Sequence, residues 1–199
     1  MADNGVNKGR RRFLVGATSV VGAVGAVGVA VPFVASWQPS AKARAAGAPV
    51  QADISKLEPG QRMTVEWRGR PIWIINRTPE MIERTEALGA DSLADPNSEV
   101  PQQPAYIQGG LRSIKQEIGV LIGICTHLGC SPLFRPEPNA EGVGVENWPG
   151  GFFCPCHGSR FDLAGRVFNN VPAPTNLEVP PYRFENDDII VVGEDEEAA

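Results

Sequence analysis

Two hexapeptides constrain the fold of this chain more than any other feature. They are CTHLGC at 125–130 and CPCHGS at 154–159. The chain has 4 cysteines and 2 histidines, and every one of them lies in these two segments. Side chains of this kind bind metals or form disulfides, so a single composite site requires the fold to bring the two segments together.

Several kinds of site can use these six side chains. Two plain disulfides would use all the cysteines but would leave both histidines unexplained. A structural zinc site can use two Cys and two His, yet its usual spacing is a Cys pair followed by a His pair. Zinc or a two-iron cluster needs four protein ligands, so two of the six side chains remain. If each segment provides one Cys and one His as ligands, the two remaining cysteines, one per segment, can bridge the segments.

The N-terminal region has the composition of a membrane anchor. A basic run from Lys8 to Arg12 precedes an uncharged stretch at 13–35. As a helix with about 1.5 Å rise per residue, that stretch would span roughly 35 Å, enough for a hydrocarbon core of about 30 Å. The flanking arginines place residues 1–12 in the cytoplasm and the rest of the chain across the membrane. We expect a retained anchor, and the alternative is a signal peptide that is cleaved near residues 41–45.

The residues RRRFL at 10–14 resemble the twin-arginine export signal, which is an arginine pair, one variable residue and then Phe-Leu. Gly9 stands where Ser or Thr is more usual. The twin-arginine route carries folded proteins, which suits a domain that receives its metal in the cytoplasm. The alternative is that the arginines only follow the positive-inside rule.

The remaining sequence predicts a linker and one mainly β domain. Residues 36–49 have no large apolar side chain apart from Trp37 and predict a flexible hinge linker. Residues 50–199 would form an antiparallel β domain with one short helix at 78–87 and long loops. The strand-like segments of this domain are MTVEW, PIWIIN, IGVLIGI and DIIVVG.

The two hexapeptides resemble the cluster-binding boxes of the Rieske iron–sulfur proteins. In that family the first Cys and the His of each box bind a [2Fe–2S] centre, one iron through two thiolates and the other through two imidazoles. The resemblance implies a Rieske-type antiparallel β domain with a loop subdomain that binds the cluster. The implied cluster ligands are Cys125, His127, Cys154 and His157, and the implied disulfide joins Cys130 and Cys156.

The resemblance also implies roles for residues beside the cluster. His157 would hydrogen-bond a quinol, with His127 next to it at the exposed tip. Ser159 matches a family serine that donates a hydrogen bond to a bridging sulfide. Phe161 stands where many relatives have a tyrosine that bonds a ligand thiolate, so we expect a lower reduction potential than in those relatives.

Two further residues are expected to lie near the tip. Leu128 would be an exposed docking contact rather than a core leucine. Pro172 belongs to a Pro-rich loop, VPAP at 171–174, that accompanies the boxes.

The whole layout is most similar to the Rieske subunits of bacterial cytochrome bc1 complexes. This implies an iron–sulfur subunit of a ubiquinol:cytochrome c oxidoreductase, anchored in the bacterial inner membrane with a periplasmic head. It would accept one electron, with a proton, from ubiquinol at cytochrome b and pass the electron to cytochrome c1. Two competing hypotheses are the small Rieske subunit of an arsenite-oxidase-type complex and a zinc-stabilised periplasmic binding module.

Charge supports a redox role and gives no sign of a nucleic-acid partner. Replacing two thiolates by two neutral imidazoles leaves an oxidised centre near zero charge, which raises the potential to roughly −150 to +300 mV. The net charge of the chain is −5, and its basic residues form no stripe interleaved with aromatic residues. We therefore expect no nucleic-acid partner, and the expected partners remain cytochromes b and c1, ubiquinol and the membrane.

Overall fold

The chain divides between Ala45 and Ala46 into an N-terminal helical unit and a C-terminal β unit. The computed structural model describes residue 5, residues 7–145 and residues 147–195. The predicted fold class, a mainly antiparallel β domain preceded by an apolar helix, is confirmed.

Helix α1 (Lys8–Ala35) contains the whole apolar stretch at 13–35 and also the basic run before it. The Asn7 side chain accepts a hydrogen bond from the Arg10 N–H at 3.1 Å, and this N-cap starts the helix before the basic run. By length and composition α1 can cross a membrane. A second, six-residue helix, α2 (Ala41–Ala46), lies within the segment that we expected to be a flexible linker.

Over residues 47–145 and 147–195 the β unit contains short strands, one α-helix and one 3₁₀ turn. Among its described residues the strands form three antiparallel sheets, in the orders β1-β9-β8, β2-β3-β4 and β5-β6-β7. The elements are β1 (Val50–Asp53), β2 (Arg62–Trp67), β3 (Arg70–Asn76), α3 (Pro79–Glu86), the 3₁₀ turn (Ala90–Ser92), β4 (Ile118–Ile122), β5 (Leu133–Arg135), β6 (Gly151–Cys154), β7 (Ser159–Asp162), β8 (Tyr182–Phe184) and β9 (Ile189–Val192).

The β2-β3-β4 sheet contributes many buried residues to the main core. Arg68 and Gly69 both have positive φ, at 52° and 71°, which matches the two-residue turn that connects twisted antiparallel strands. Residues 72–75 of β3 and all of β4 are buried, so both faces of these strands are covered. The predicted strands at 63–67, 71–76 and 118–124 are therefore present, although β4 ends at Ile122.

A smaller apolar cluster supports the segment between the two hexapeptides. Trp148 is 1% exposed and stacks on Phe168 with ring centroids 5.6 Å apart. Its indole N–H donates to the Arg135 carbonyl at 3.0 Å. Val143 and Leu93 complete the buried part of this cluster. The long segment that leads to the second hexapeptide is thus packed onto the β unit by its own side chains.

Candidate metal centre

The two hexapeptides form two loops that start from different sheets. Loop 1 (residues 125–130) follows β4, the third strand of the β2-β3-β4 sheet. Loop 2 (residues 154–159) connects β6 to β7 within the β5-β6-β7 sheet. Their meeting is therefore a product of how the sheets pack, since no single hairpin contains both loops.

Both loops are closed by the same backbone turn. The Gly129 N–H donates to the Cys125 carbonyl at 3.0 Å, and the Gly158 N–H donates to the Cys154 carbonyl at 2.9 Å. The two glycines have φ values of +84° and +80°, a conformation that side chains with a Cβ rarely adopt. Each turn thus holds a cysteine at its start and one histidine inside it.

A disulfide between Cys130 and Cys156 joins loop 1 to loop 2, with the two Cα atoms 6.7 Å apart. This is the cysteine pair that the family resemblance implied. The other two cysteines, Cys125 and Cys154, are free thiols, and each is only 2% exposed. The sulfur atoms of Cys130, Cys154 and Cys156 lie within 4.8 Å of one another. Because two of these sulfurs are bonded to each other, the thiols that can bind a metal are those of Cys125 and Cys154.

The two free thiols face each other. Burial raises the pKa of the Cys125 thiol, and the neighbouring Cys154 thiol raises it further, whereas the His127 backbone N–H and the Ser159 hydroxyl act in the opposite direction. The raised pKa favours the neutral thiol, and a metal that binds these sulfur atoms as thiolates would displace the protons and compensate the negative charge that burial disfavours.

The two imidazoles lie side by side on the outer side of the thiols. The ring centroids of His127 and His157 are 4.7 Å apart, with the ring planes at 86°. His157 is exposed and His127 is half-buried. Leu128 is 72% exposed, and Pro172 is also exposed. The site therefore has buried sulfur donors, nitrogen donors nearer the surface, and an apolar leucine beside them.

Two thiols and two imidazoles are the donor set that a Rieske [2Fe–2S] centre requires. The chain provides these four groups in adjoining loops, and the remaining cysteines are already used in the disulfide. The chemistry of the donor set therefore fits this cluster. A site with only two free cysteines does not have the four thiolates of a plant-type ferredoxin site.

Ser159 connects loop 2 to the Pro-rich loop. The Ser159 side chain is fully buried, and its oxygen accepts a hydrogen bond from the Ala173 N–H at 3.0 Å. Burial raises the pKa of the Cys125 thiol, and the Ser159 hydroxyl beside it acts in the opposite direction. Ser159 thus connects loop 2, loop 1 and the segment beside Pro172.

Phe161 is fully buried in the main core. In the β6-β7 ladder Cys154 pairs with Ser159 and Phe152 pairs with Phe161. Alternate residues of a strand share one face, so these four side chains lie on the same face of the hairpin. The Phe161 ring is the diagonal neighbour of Cys154, within reach of an aromatic side chain.

Two residues that position the loops were missed by sequence reasoning. The Thr126 hydroxyl donates to the Thr175 carbonyl at 2.7 Å and holds loop 1 against the segment after Pro172. Trp73 packs against Gly123, just before loop 1. A glycine at the end of an apolar strand signals a close approach of another group, so Gly123 was the available clue.

Comparisons with known proteins agree with the geometry. Residues 49–182 match the family described as "Rieske [2Fe-2S] domain". Residues 1–40 match "Ubiquitinol-cytochrome C reductase Fe-S subunit TAT signal", so the twin-arginine prediction is confirmed. This match and the apolar helix fit a membrane-anchored protein whose head is translocated to the periplasm.

Similar proteins are found in bacteria and mitochondria. A "Ubiquinol-cytochrome c reductase iron-sulfur subunit" of Allochromatium vinosum is 62% identical over 201 residues, covering 100% of this chain and 95% of that protein. A protein of the same name in Bradyrhizobium diazoefficiens is 42% identical, covering 92% of this chain and 94% of that protein. The "Cytochrome b-c1 complex subunit Rieske, mitochondrial" of Schizosaccharomyces pombe is 37% identical, covering 89% and 68%. With its donor set, its domain match and these relatives, the chain belongs to the Rieske [2Fe–2S] protein family.

Proposed function

We propose that this chain is the iron–sulfur subunit of a ubiquinol–cytochrome c reductase. It accepts one electron, with a proton, from ubiquinol bound at cytochrome b and passes the electron to cytochrome c1. The observation that carries this proposal is the pairing of two buried thiols with two imidazoles at the exposed tip of two disulfide-linked loops. The high identity to proteins of this name over the whole chain favours it over a small Rieske subunit of an arsenite-oxidase-type complex.

In this proposal Cys125 and Cys154 bind one iron of the [2Fe–2S] cluster, and His127 and His157 bind the other. The bound cluster supplies a one-electron centre of raised potential. The protein holds the sulfur donors away from water, since both cysteines are 2% exposed. The disulfide joins the end of loop 1, at Cys130, to the middle of loop 2, at Cys156.

His157 is the residue that contacts the quinol. Its ring is exposed, and one ring nitrogen stays free to hydrogen-bond the quinol hydroxyl when the other binds a metal. The free nitrogen can take the hydroxyl proton as the electron leaves the quinol. Leu128 and Pro172 give this tip an apolar rim, which suits contact with a lipid-soluble quinol and with cytochrome b.

The anchor and the linker place the head between its two partners. Helix α1 crosses the bacterial inner membrane once, with residues 1–12 on the cytoplasmic side and the β unit in the periplasm. Residues 13–35 form the membrane segment, residues 36–49 the hinge, and residues 50–199 the head. The hinge lets the head move between cytochrome b and cytochrome c1.

Copurification tests the assignment of partners. The full-length chain, solubilised from membranes in mild detergent, should copurify with cytochromes b and c1. Low-temperature electron paramagnetic resonance (EPR) of the reduced preparation should show a [2Fe–2S] signal. A colourless preparation without this signal would favour the zinc-binding hypothesis, and copurification with a molybdenum enzyme would favour the arsenite-oxidase type.

The pH dependence of the potential tests the role of the histidines. His127 and His157 are the only histidines of the chain. Reduction adds negative charge, so the reduced site should hold a proton that the oxidised site has lost at the same alkaline pH. The midpoint potential should then fall by about 59 mV per pH unit for one proton per electron, and should be flat at low pH. A potential that does not change from mildly acidic to strongly alkaline pH would contradict proton-coupled transfer.

A further inference from the structure

Two residues hold equivalent places before the two ligand loops. Gly123 stands two residues before Cys125, and Phe152 stands two residues before Cys154. The two segments belong to different sheets, one continuing from β4 and the other within β6. Both Gly123 and Phe152 contact the same side chain, that of Trp73 on β3.

The contact on the side of loop 1 leaves no free space. A Cβ atom added at Gly123 would overlap the Cε2, Nε1 and Cζ2 atoms of the Trp73 indole, so the indole lies directly on the glycine backbone. The Gly123 N–H also donates to the Pro71 carbonyl at 2.8 Å. The entry of loop 1 is thus held against β3 by a hydrogen bond and by the indole.

The contact on the side of loop 2 is a ring stack. The Trp73 and Phe152 ring centroids are 4.9 Å apart with an interplanar angle of 16°. Phe134 of β5 packs on the same Phe152 ring at 5.5 Å. The Arg62 guanidinium lies over two of these rings, 4.6 Å from the centroid of Trp73 and 5.6 Å from that of Phe134.

We propose that Trp73 is a positioning residue that sets the distance between the entries of loop 1 and loop 2, and thereby the spacing of the Cys125 and Cys154 sulfur atoms. The disulfide joins Cys130, the last residue of loop 1, to Cys156, in the middle of loop 2, whereas Trp73 lies between the two segments that enter the loops. A close-packed ring system cannot be compressed, and its loss leaves a gap into which the neighbouring strands relax. This inference rests on the ligand set of the proposed function.

The chain offers a closely matched control in Trp67. Trp67 is 3% exposed and Trp73 is 2% exposed, and both belong to the β2-β3-β4 sheet. The Trp67 indole also lies on a glycine backbone, that of Gly193. Gly193 follows β9, which belongs to the β1-β9-β8 sheet and not to a strand that leads into a ligand loop. Replacing Trp67 therefore removes a similar volume and a similar contact without altering the loop entries.

The experiment compares Trp73→Leu with Trp67→Leu in the full-length chain purified from membranes. The measurements are the EPR g-values and line shape of the reduced cluster, its midpoint potential, the iron content and the melting temperature. Both variants should have a lower melting temperature than the parent chain. Only Trp73→Leu should shift and broaden the EPR signal, change the midpoint potential and lower the iron content. Unchanged cluster signals in a folded Trp73→Leu variant, or equal changes in Trp67→Leu, would overturn the proposal.

If the Trp73→Leu protein does not accumulate in the cell, the more conservative variant Trp73→Phe tests the same proposal. Trp73→Phe keeps a ring to stack on Phe152 but withdraws the part of the indole that lies on Gly123. It should show a smaller shift of the same direction, and Trp67→Phe should show none. An EPR spectrum and potential equal to those of the parent in Trp73→Phe would then refute the proposal. Absence of any [2Fe–2S] signal in the parent chain would instead refute the proposed function, so the two failures are distinguishable.

Discussion

Loop 1 and loop 2 use the same turn but are supported in different ways. Loop 2 connects two paired strands, and the Cys154–Ser159 pair closes the ladder at its base. Loop 1 leaves β4 and ends at Cys130 without returning to a partner strand in the same sheet. The Cys125 N–H donates to the Cys130 carbonyl at 2.8 Å and closes the base of loop 1. The position of loop 1 on the β unit depends on three long-range contacts: the Thr126 bond to Thr175, the disulfide and the packing of Trp73 on Gly123.

The difference shows that two halves of one metal site can have unequal local support. Residues adjacent in sequence form a hairpin at a small cost in loop-closure entropy, whereas contacts between distant segments form only when the whole domain is folded. Loop 2 can therefore take its shape from its own strands. Loop 1 is closed by its own backbone hydrogen bonds but has no paired strands at its base, so its position depends on the rest of the β unit. We therefore expect changes to distant contacts to disturb loop 1 more than loop 2.

The largest expected effect is complete loss of the cluster, and it should be the same for the ligand cysteine of either loop. Cys125→Ala and Cys154→Ala should each abolish the cluster, because each takes away one of two thiolates and no free thiol replaces it. The iron content and the EPR signal of the purified chain measure this. A cluster that survives either substitution would show that the ligand set is wrong.

Loss of the disulfide should have a smaller effect on the cluster than loss of a ligand cysteine, and it should disturb loop 1 more than loop 2. In Cys130→Ala part of the cluster should remain, with a lower potential and a lower melting temperature, since a disulfide typically stabilises a fold by about 2–4 kcal/mol. Cys156→Ala is the matched control, because it breaks the same bond from the side of loop 2. Cluster loss as complete as in Cys154→Ala would contradict the division of the cysteines into ligands and bridge.

The Thr126 bond offers a smaller test of the support of loop 1. Thr126→Val removes a 2.7 Å hydrogen bond to the Thr175 carbonyl and should cost about 1 kcal/mol of folding free energy. It should also speed the loss of cluster on heating, as followed by absorbance. Thr64→Val, on an exposed position of β2, is the control and should change neither. Equal behaviour of the two variants would mean that loop 1 does not need this contact.

The smallest expected effect is a change in the midpoint potential of the cluster caused by a residue beside loop 2. Phe161→Tyr places a hydroxyl on the hairpin face that carries Cys154, and a hydrogen bond to a thiolate should raise the midpoint potential. One hydrogen bond of about 1 kcal/mol corresponds to roughly 40 mV for one electron. Phe153→Tyr is the control, because Phe153 lies on the opposite face of β6. A redox titration that shows an unchanged or lowered potential for Phe161→Tyr would place the ring at 161 away from the cluster.

Several features of this protein were predictable because they are local. The apolar helix, the strands β2, β3 and β4, and helix α3 each follow from a short pattern of apolar and turn residues. Helix α1 also includes the basic run before the apolar stretch, because the Asn7 cap starts it at Lys8. The short strands β5, β6 and β7 were missed, because three or four residues give too weak a pattern.

The sequence by itself determined which groups can bind a metal, because all its cysteines and histidines lie in two hexapeptides with glycines at the turns. Residue spacing alone left the pairing of the cysteines open, and only the family resemblance implied it. The tertiary structure decided that Trp73 lies between Gly123 and Phe152 and that Thr126 reaches Thr175. The physical reason is that these contacts join separate segments whose distance depends on how the sheets pack, and no local pattern encodes that packing.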